Sequence, residues 1–325
     1  MVDLTTKYAG LTLKNPLIIS SSGLTDSADK IKKLEESGAG AVVLKSLFEE
    51  QIKYETGTYM QGADYPEAED YLNYYIRSNN VDQYLALIEN ARKNVTIPVI
   101  ASINCITSSE WVDFSKKIEE AGADALELNV YFLPVNKNIS SQKYEDIYLK
   151  LATRVRELIS IPVIIKLGQQ FTNIVNLVNE LYNRGISAIV LFNRFYSPDI
   201  NIDTQKIISS DVFSTPADIR HSLRWVAILS HLISEIDIAA STGIHDGEAV
   251  IKQLLAGARA VQVCSVIYKK GPGYISEILS DVQKWMMKNN LNSPDQFRGK
   301  MNYGNIKDPA LYERAQFMKY YSSHN

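Results

Sequence analysis

The chain has 325 residues, of which 46% are hydrophobic and 22% are charged, and its net charge is −3. This length and composition suit one large α/β domain or two small ones, and the charge argues against nucleic acid or an anionic membrane as a partner. The two cysteines, Cys105 and Cys264, argue against a disulfide framework and against a cysteine-ligated zinc or iron–sulfur site.

The chain begins MVDLTTKYAG, which lacks the basic-then-apolar pattern of a signal peptide. Apolar runs elsewhere stay well short of the roughly 20 residues that a membrane span needs. We therefore expect a soluble, cytoplasmic protein. Residues 1–14 contain short apolar pieces, which suggest a hairpin at the bottom of the fold, and residues 284–325 are expected to form a C-terminal helical tail.

One local pattern recurs along the chain: a helix-like segment, a break of small residues, and then a short run rich in Val, Ile and Leu. Other apolar runs follow Pro or Asp, and together they make eight. Such continuous apolar runs, separated by helical patterns, are typical of parallel strands buried on both faces. In chain order the eight runs fall within residues 15–22, 35–46, 97–104, 119–130, 161–167, 182–193, 236–242 and 253–265.

Eight βα units in one chain predict an α/β fold, a (β/α)8 TIM barrel that occupies residues 1–325 as one domain. The alternative is a doubly wound open sheet, but its Gly-rich first turn is missing, because Ser20-Ser21-Ser22-Gly23 stands there instead. Long insertions after the second, fourth and sixth strands, at 47–80, 131–144 and 194–216, fall on the carboxyl face of the barrel. Long loops on that face usually cover an active site.

In a barrel, function is encoded by the side chains at the carboxyl ends of the strands, because they project into the mouth. Here those ends are polar throughout, with no His or carboxylate among them, which disfavours acid/base hydrolysis and a metal site. They comprise Ser20 to Ser22, Lys45, Ser46, Asn104, Asn129, Lys166, Asn193, Thr242, Gly243, Cys264 and Ser265.

The last two strand ends, Thr242-Gly243 and Cys264-Ser265, offer backbone N–H groups at strand-to-helix turns, which together predict a phosphate cradle. Asparagines can bond the edge of a flat heteroaromatic ring, and a lysine can stabilise an anion that forms on it. A phosphate site, ring-edge hydrogen bonds and a nearby cation suit FMN. A Schiff-base aldolase or lyase would also use a barrel lysine and a phosphate site, and it remains the rival enzyme hypothesis.

At this point the chain resembles the dihydroorotate dehydrogenase family, specifically its soluble class of FMN barrels. The matching motifs run nearly end to end and are KNPLIISSSG, GAGAVVLKS, ELN, IPVIIKL, LFN, TGIHDGEAV, AGARAVQVCSVIYKKGP and DQFRGKM. The resemblance implies oxidation of dihydroorotate to orotate in pyrimidine biosynthesis.

The resemblance also implies roles for individual residues. Lys45 and Lys166 would be catalytic, with Lys166 near N1 and O2 of the flavin, and Lys45 and Ser46 would lie at the ring and the substrate. Ser21 and Ser22 would lie against the flavin, and Asn104 would bond it. Asn129 and Asn193 would bond flavin or substrate, Asn73 the substrate, and Thr242, Gly243, Cys264 and Ser265 the phosphate.

Two departures from the family pattern affect the substrate end. Phe132 stands where family members carry the Cys or Ser base that takes a proton from dihydroorotate, and a phenyl ring cannot accept a proton. The neighbouring Tyr131 is a phenol, a poor base at neutral pH. In the loop after the second strand, Asn73 matches the family's first Asn, but the rest of the loop does not. The flavin site is therefore expected to be retained and the substrate site altered.

These observations leave two hypotheses of different classes beside the lyase. The first is an FMN-dependent oxidoreductase acting on CH–CH groups of a small anionic cyclic substrate. The second is a catalytically degenerate FMN-binding protein. Because the chain lacks cysteines for its own iron–sulfur centre, electrons are expected to leave through a soluble acceptor or a partner subunit. A homodimer is expected.

Overall fold

A computed structural model describes residues 2–48, 66–104, 109–195 and 197–313, and for residues 66–79 and 109–113 it describes the course of the helices without the side chains. Within these ranges the strands are β1 (Thr6–Tyr8), β2 (Leu11–Leu13), β3 (Leu17–Ile19), β4 (Ala41–Val43), β5 (Leu47–Phe48), β6 (Val99–Asn104), β7 (Ala125–Asn129), β8 (Val163–Leu167), β9 (Ala188–Leu191), β10 (Pro198–Asn201), β11 (Lys206–Ser209), β12 (Asp237–Ser241) and β13 (Ala260–Val263).

Helices follow most of the strands. They are α1 (Ala28–Glu36), α2 (Pro66–Asn94), α3 (Ser109–Glu120), α4 (Ser141–Leu158), α5 (Ile174–Asn183), α6 (Ile219–Leu232), α7 (Gly247–Ala256), α8 (Ser265–Lys270), α9 (Tyr274–Lys288) and α10 (Ala310–Glu313). Short 3₁₀ turns lie at Pro216–Asp218 and Pro294–Gln296. No helix in the described ranges is long and apolar enough to cross a membrane.

Eight of the strands form one closed parallel barrel. They pair in the order β4, β3, β13, β12, β9, β8, β7 and β6, and β6 pairs back with β4 to close the ring. The predicted (β/α)8 barrel is confirmed, and its eight strands lie in the eight apolar runs. The runs are apolar on both faces because one face points into the barrel and the other packs under the helices.

The inside of the barrel has two layers of different polarity. The lower layer is apolar and includes Ile18, Ala125, Ile164, Ala239 and Ala260. Side chains two residues further along a strand point the same way, so these strands next present Ser20, Glu127, Lys166, Ser241 and Gln262, all buried. The upper layer of the barrel is therefore polar, and it lies just below the mouth.

The amino end of the barrel is covered by the antiparallel hairpin of β1 and β2. Tyr8 and Leu13 of this hairpin are fully buried and pack into the lower layer. The backbone N–H of Ala9 donates a 2.8 Å hydrogen bond to the Asp237 carboxylate at the start of β12. The opposite, carboxyl end carries the long connections, including the β10–β11 hairpin after β9.

Candidate active site

A cavity of about 590 Å³ opens at the carboxyl end of the barrel, a volume typical of small-molecule and cofactor sites. It lies over β3, β8, β9, β12 and β13, which is one side of the mouth. Most of the predicted cofactor-binding residues line it, namely Ser21, Ser22, Lys166, Asn193, Thr242, Gly243, Cys264 and Ser265.

Lys166 projects from β8 into the floor of this cavity and is only 5% exposed. Its Nζ donates to Ser20 Oγ at 3.0 Å and to Gln262 Oε1 at 2.9 Å. The carboxylate of Glu127 lies 3.8 Å from the same Nζ and forms a buried ion pair with it. These hydrogen bonds and the ion pair therefore hold Lys166 in place at the floor of the cavity.

A chain of hydroxyl groups links the cavity to the neighbouring strands β4 and β6. Ser21 Oγ lies 2.9 Å from Ser46 Oγ, and Ser46 Oγ lies 2.6 Å from Ser102 Oγ. Ser46 is buried and does not itself line the cavity. These contacts fix the orientation of Ser21 at the cavity wall.

The structure does not bring Lys45 into the main cavity. Its side chain is exposed and lines a separate hollow of about 230 Å³ with Asp26 and Asn80. Asn104, at the end of β6, is buried, and its Oδ1 has no hydrogen-bond partner among the described residues. A buried acceptor of this kind suits a ligand N–H group. The side chain of Asn73 lies outside the described residues.

Asn129 and Asn193 meet at the mouth of the barrel. Asn193 Nδ2 donates to Asn129 Oδ1 at 2.5 Å. Asn129 is 8% exposed, while Asn193 is partly exposed and lines the cavity. The bond leaves the Asn129 amino group and the Asn193 carbonyl oxygen for other partners.

The predicted phosphate cradle is a tight backbone arrangement. Thr242 and Gly243 both have left-handed backbone conformations, with φ of 73° and 81°. A Cβ on Gly243 would overlap the backbone nitrogen of Ile219, so only glycine fits where β12 approaches the start of α6. Ser265 begins α8 immediately after Cys264. Residues at two neighbouring strand ends therefore line the cavity together.

Residues 211–215 form a strap across this end of the cavity. Arg194 holds the strap, because its guanidinium donates to the carbonyl oxygens of Asp211 at 2.8 Å, Phe213 at 3.2 Å and Val212 at 3.3 Å. The same guanidinium forms an ion pair with Asp218 at 3.3 Å. Each nitrogen of the Arg194 guanidinium thus has a partner in or beside the strap.

The middle of the strap is attached to the cradle through Ser214. Its backbone N–H donates to Ser265 Oγ at 3.0 Å, and its hydroxyl lies 3.0 Å from His245 Nε2. Lys269 donates to the Ser214 carbonyl oxygen at 3.4 Å. Burial and, second, the charge of Lys269 lower the pKa of His245, so the ring is mostly neutral at neutral pH.

Phe132 packs away from the cavity, in an aromatic cluster against α4. Its ring centroid lies 5.8 Å from that of Tyr148 in an edge-on arrangement and 6.3 Å from that of Tyr144. Tyr131 stacks on Phe195, with ring centroids 3.4 Å apart. Phe132, at the position expected for the base, and its neighbour Tyr131 are therefore both engaged in aromatic contacts.

Cys264 lines the cavity, but burial raises the pKa of its thiol, so the thiol is protonated at neutral pH. A protonated thiol is neither a base nor a nucleophile. Asp211, in the strap, has the only carboxylate among the described residues that line the cavity.

Sequence reasoning missed Glu127, Gln262 and Arg194. Glu127 and Gln262 lie inside strands rather than at their ends, and the strand alternation could have revealed them. Glu127 is two residues before Asn129 and so points into the barrel with it. No sequence pattern pointed to Arg194, because its partners are backbone carbonyl oxygens of the strap.

Comparison with known proteins gives consistent matches. A family model described as dihydroorotate dehydrogenase matches residues 3–286. The catalytic subunit of dihydroorotate dehydrogenase B (NAD(+)) from Thermoplasma volcanium is 27% identical over 291 residues, which cover 88% of this chain and 94% of the relative. The equivalent subunit from Methanocaldococcus jannaschii is 25% identical over 302 residues, covering 89% and 95%. A putative dihydroorotate dehydrogenase A (fumarate) from Aeropyrum pernix is 26% identical over 290 residues, covering 87% and 92%.

Proposed function

Because this chain belongs to the dihydroorotate dehydrogenase family, as its motifs predict, we propose that it is an FMN-dependent oxidoreductase acting on a CH–CH bond of a small anionic cyclic substrate. Its relatives support an oxidoreductase of the dihydroorotate dehydrogenase type. The observation that carries the proposal is the buried Lys166, which projects into a cavity of suitable size beside a backbone cradle.

Polar groups at the mouth of the barrel, two of them lining the cavity and the third at the end of β6 outside its lining, fit FMN in three ways. The Gly243 turn and the Ser265 helix start offer backbone N–H groups for a phosphate. Lys166 supplies a cation for the N1 and O2 edge of the ring. Asn104 Oδ1, buried and without a partner among the described residues, is an acceptor for a ring N–H. When bound, FMN would supply the two-electron redox chemistry that the side chains lack.

The residues of this chain would then divide the work of binding. Thr242, Gly243, Cys264 and Ser265 would hold the phosphate, and Ser21 and Ser22 would lie against the ring. Ser46 would position Ser21 through their hydrogen bond. Asn129 and Asn193 would bond the flavin or the substrate with the groups that their mutual bond leaves over.

Lys45 and Asn73 remain proposed substrate contacts from the second βα connection. Lys45 is exposed in the separate hollow, where its ammonium group would meet an anionic substrate that extends beyond the main cavity. In this proposal Lys166 and Lys45 are the catalytic lysines.

We propose that the substrate differs from dihydroorotate. In this chain Phe132 stands at the position of the family's base. The phenyl ring has no proton-accepting atom, and it packs against Tyr144 and Tyr148. The protonated Cys264 thiol is not a replacement base. A substrate whose oxidation needs a weaker base, or none, fits this site better.

The first experiment is the absorption spectrum of the purified protein, with the bound flavin identified by mass. FMN in equimolar amount supports the cofactor assignment, and a protein that neither contains nor takes up FMN contradicts it. Turnover of dihydroorotate is then assayed with NAD⁺, fumarate and dye acceptors. Turnover close to that of a Thermoplasma volcanium relative would contradict the altered substrate.

Two other hypotheses are separated by simple tests. A degenerate flavoprotein would, after photoreduction, reoxidise with no preference among candidate acceptors. A Schiff-base lyase would be trapped on Lys166 by borohydride with a carbonyl substrate. The lyase fits the site less well, because Lys166 Nζ is engaged at the cavity floor by Ser20, Gln262 and Glu127, whereas a Schiff-base lysine must attack a carbonyl carbon.

We also propose that electrons leave to a soluble acceptor or to a partner subunit in the cytoplasm, since several relatives are named as catalytic subunits of NAD⁺-dependent enzymes.

A homodimer is proposed as well. It is supported by the β10–β11 hairpin, which exposes Ile200, Ile202 and Ile207. Light scattering on the purified chain measures the dimer, and a monomer at micromolar concentration would contradict it.

A further inference from the structure

The upper layer of the barrel holds a charged network directly beneath the cavity. Glu127 on β7 is 0% exposed and Gln262 on β13 is 2% exposed. Gln262 Nε2 donates to Glu127 Oε2 at 2.6 Å, and Gln262 Oε1 accepts from Lys166 Nζ at 2.9 Å. The glutamine amide therefore joins the carboxylate to the ammonium group.

The orientation of this network is fixed by its own chemistry. A carboxylate accepts hydrogen bonds, so the Gln262 amide must turn its NH₂ toward Glu127 and its oxygen toward Lys166. Ser20 closes the arrangement, because its hydroxyl donates to Gln262 Oε1 at 3.2 Å and accepts from Lys166 Nζ at 3.0 Å. Glu127 thus determines, through Gln262, where the ammonium group of Lys166 sits.

Glu127 also faces the cation directly. Its Oε1 lies 3.8 Å from Lys166 Nζ and has no hydrogen bond among the described residues, so it acts on Lys166 through charge. Moving an isolated ammonium group out of water is costly, and a nearby carboxylate offsets that cost.

Among the described residues, two other titratable groups face the pair, and both are neutral at neutral pH. Tyr8 faces Glu127 from the bottom hairpin, and burial, followed by the charge of Glu127, raises the pKa of its phenol. Cys264 lies near Lys166, and burial raises the pKa of its thiol. Neither group contributes a charge at neutral pH, so the field at the cavity floor is that of Lys166 opposed by Glu127.

We propose that Glu127 is a positioning residue that fixes Lys166 and lowers the reduction potential of bound FMN, an inference that rests on the proposed function. FMN gains negative charge at its N1 and O2 edge on reduction. Lys166 would attract that charge, whereas the carboxylate of Glu127, 3.8 Å from Lys166 Nζ, would repel it. In a buried site such an opposing charge weakens the stabilisation of the reduced form.

The test is the midpoint potential of bound FMN, measured by dye equilibration in the wild type and in Glu127→Gln. The substitution keeps the shape and the bond to Gln262 but removes the charge. Reduced FMN should gain at least about tenfold in affinity relative to oxidised FMN, which is a rise of about 30 mV for two electrons. Glu127→Asp keeps the charge but draws it back by one methylene group, so a smaller rise is expected.

Asp237→Asn is the matched control, because Asp237 is a partly buried carboxylate at the amino end of the barrel, paired with Arg259 at 3.2 Å. In Asp237→Asn, the relative affinity for reduced and oxidised FMN, read from the midpoint potential, should change by less than twofold. An unchanged or lowered potential in Glu127→Gln would overturn the inference, as would a rise of equal size in Asp237→Asn. If Glu127→Gln cannot be purified, a folded Glu127→Asp without any rise overturns it. If the wild-type protein binds no FMN, that result contradicts the proposed function rather than the inference about Glu127.

Discussion

The amide of Asn193 donates from Nδ2 to Oδ1 of Asn129 at 2.5 Å, although the two residues are 64 positions apart in the chain. They lie at the ends of β7 and β9, which are separated by β8 in the barrel. The bond ties together two strand ends that β8 separates. It also fixes which polar atoms of the two amides remain for a ligand.

This bond predicts energetic coupling between the two residues. In a double-mutant cycle of Asn129→Ala and Asn193→Ala, we expect a coupling of about 0.5–1.5 kcal/mol in the free energy of unfolding. Urea denaturation measures it in the protein without flavin. The control pair is Asn129→Ala with Asn176→Ala on the exposed face of α5, which should be additive. Additivity in both cycles would mean that the bond contributes nothing in solution.

Arg194 is predicted to support flavin binding through the strap. In Arg194→Ala the carbonyl oxygens of residues 211–213 lose their donor, and the strap no longer rests firmly against Ser265. We expect the dissociation constant of FMN to rise by about tenfold, or about 1.4 kcal/mol, in a fluorescence titration of the apoprotein.

The control for Arg194 is Arg184→Ala, which removes an arginine from the ion pair with Glu180 on α5. Its FMN affinity should stay close to that of the wild type. A similar loss in both variants would point to a general effect of charge, and an unchanged affinity in Arg194→Ala would show that the strap is not needed for binding.

Phe132 is predicted to serve packing rather than chemistry. Phe132→Ala removes a partly buried ring from contacts with Tyr144 and Tyr148, so we expect a loss of about 1–3 kcal/mol in the free energy of unfolding. FMN affinity should not change. The neighbouring Leu133 is 54% exposed, and Leu133→Ala should cost little. A large loss of FMN affinity in Phe132→Ala would place the ring at the flavin instead.

Cys264 is predicted to resist alkylation at neutral pH. Burial raises the pKa of its thiol, so the reactive thiolate appears only at a higher pH than in an ordinary cysteine. In a Cys105→Ser background, iodoacetamide should react slowly at pH 7 and faster as the pH rises, and bound FMN should slow it further. Modification at pH 7 as fast as in the urea-unfolded chain would contradict this.

The same pKa shift sets the sign of a stability effect. Because the folded state holds the thiol proton more tightly than the unfolded state, the contribution of Cys264 to stability is fully present below the ordinary thiol pKa. It is lost as the pH rises through the folded value. Cys264→Ser should therefore reduce the loss of stability between neutral and alkaline pH, which urea denaturation at several pH values measures.

Much of the fold could be predicted from the sequence because its signals are local. Parallel strands buried on both faces must be apolar throughout, and helix ends favour glycine, as at Gly257 with φ of 117°. The carboxyl ends of such strands necessarily meet at one end of a barrel. The candidate residues Lys166, Asn193 and Thr242 followed from that rule, and they do line one cavity.

The sequence by itself determined the eight strands, the barrel and the family, because periodicity and motifs need no knowledge of distant neighbours. Only the tertiary structure decided which polar groups meet. It separated Lys45 from the cavity that holds Lys166, joined Glu127 to Gln262 across 135 positions of the chain, and turned Phe132 toward α4. These outcomes depend on how the strands are ordered around the barrel and on how the loops pack, which no local pattern encodes.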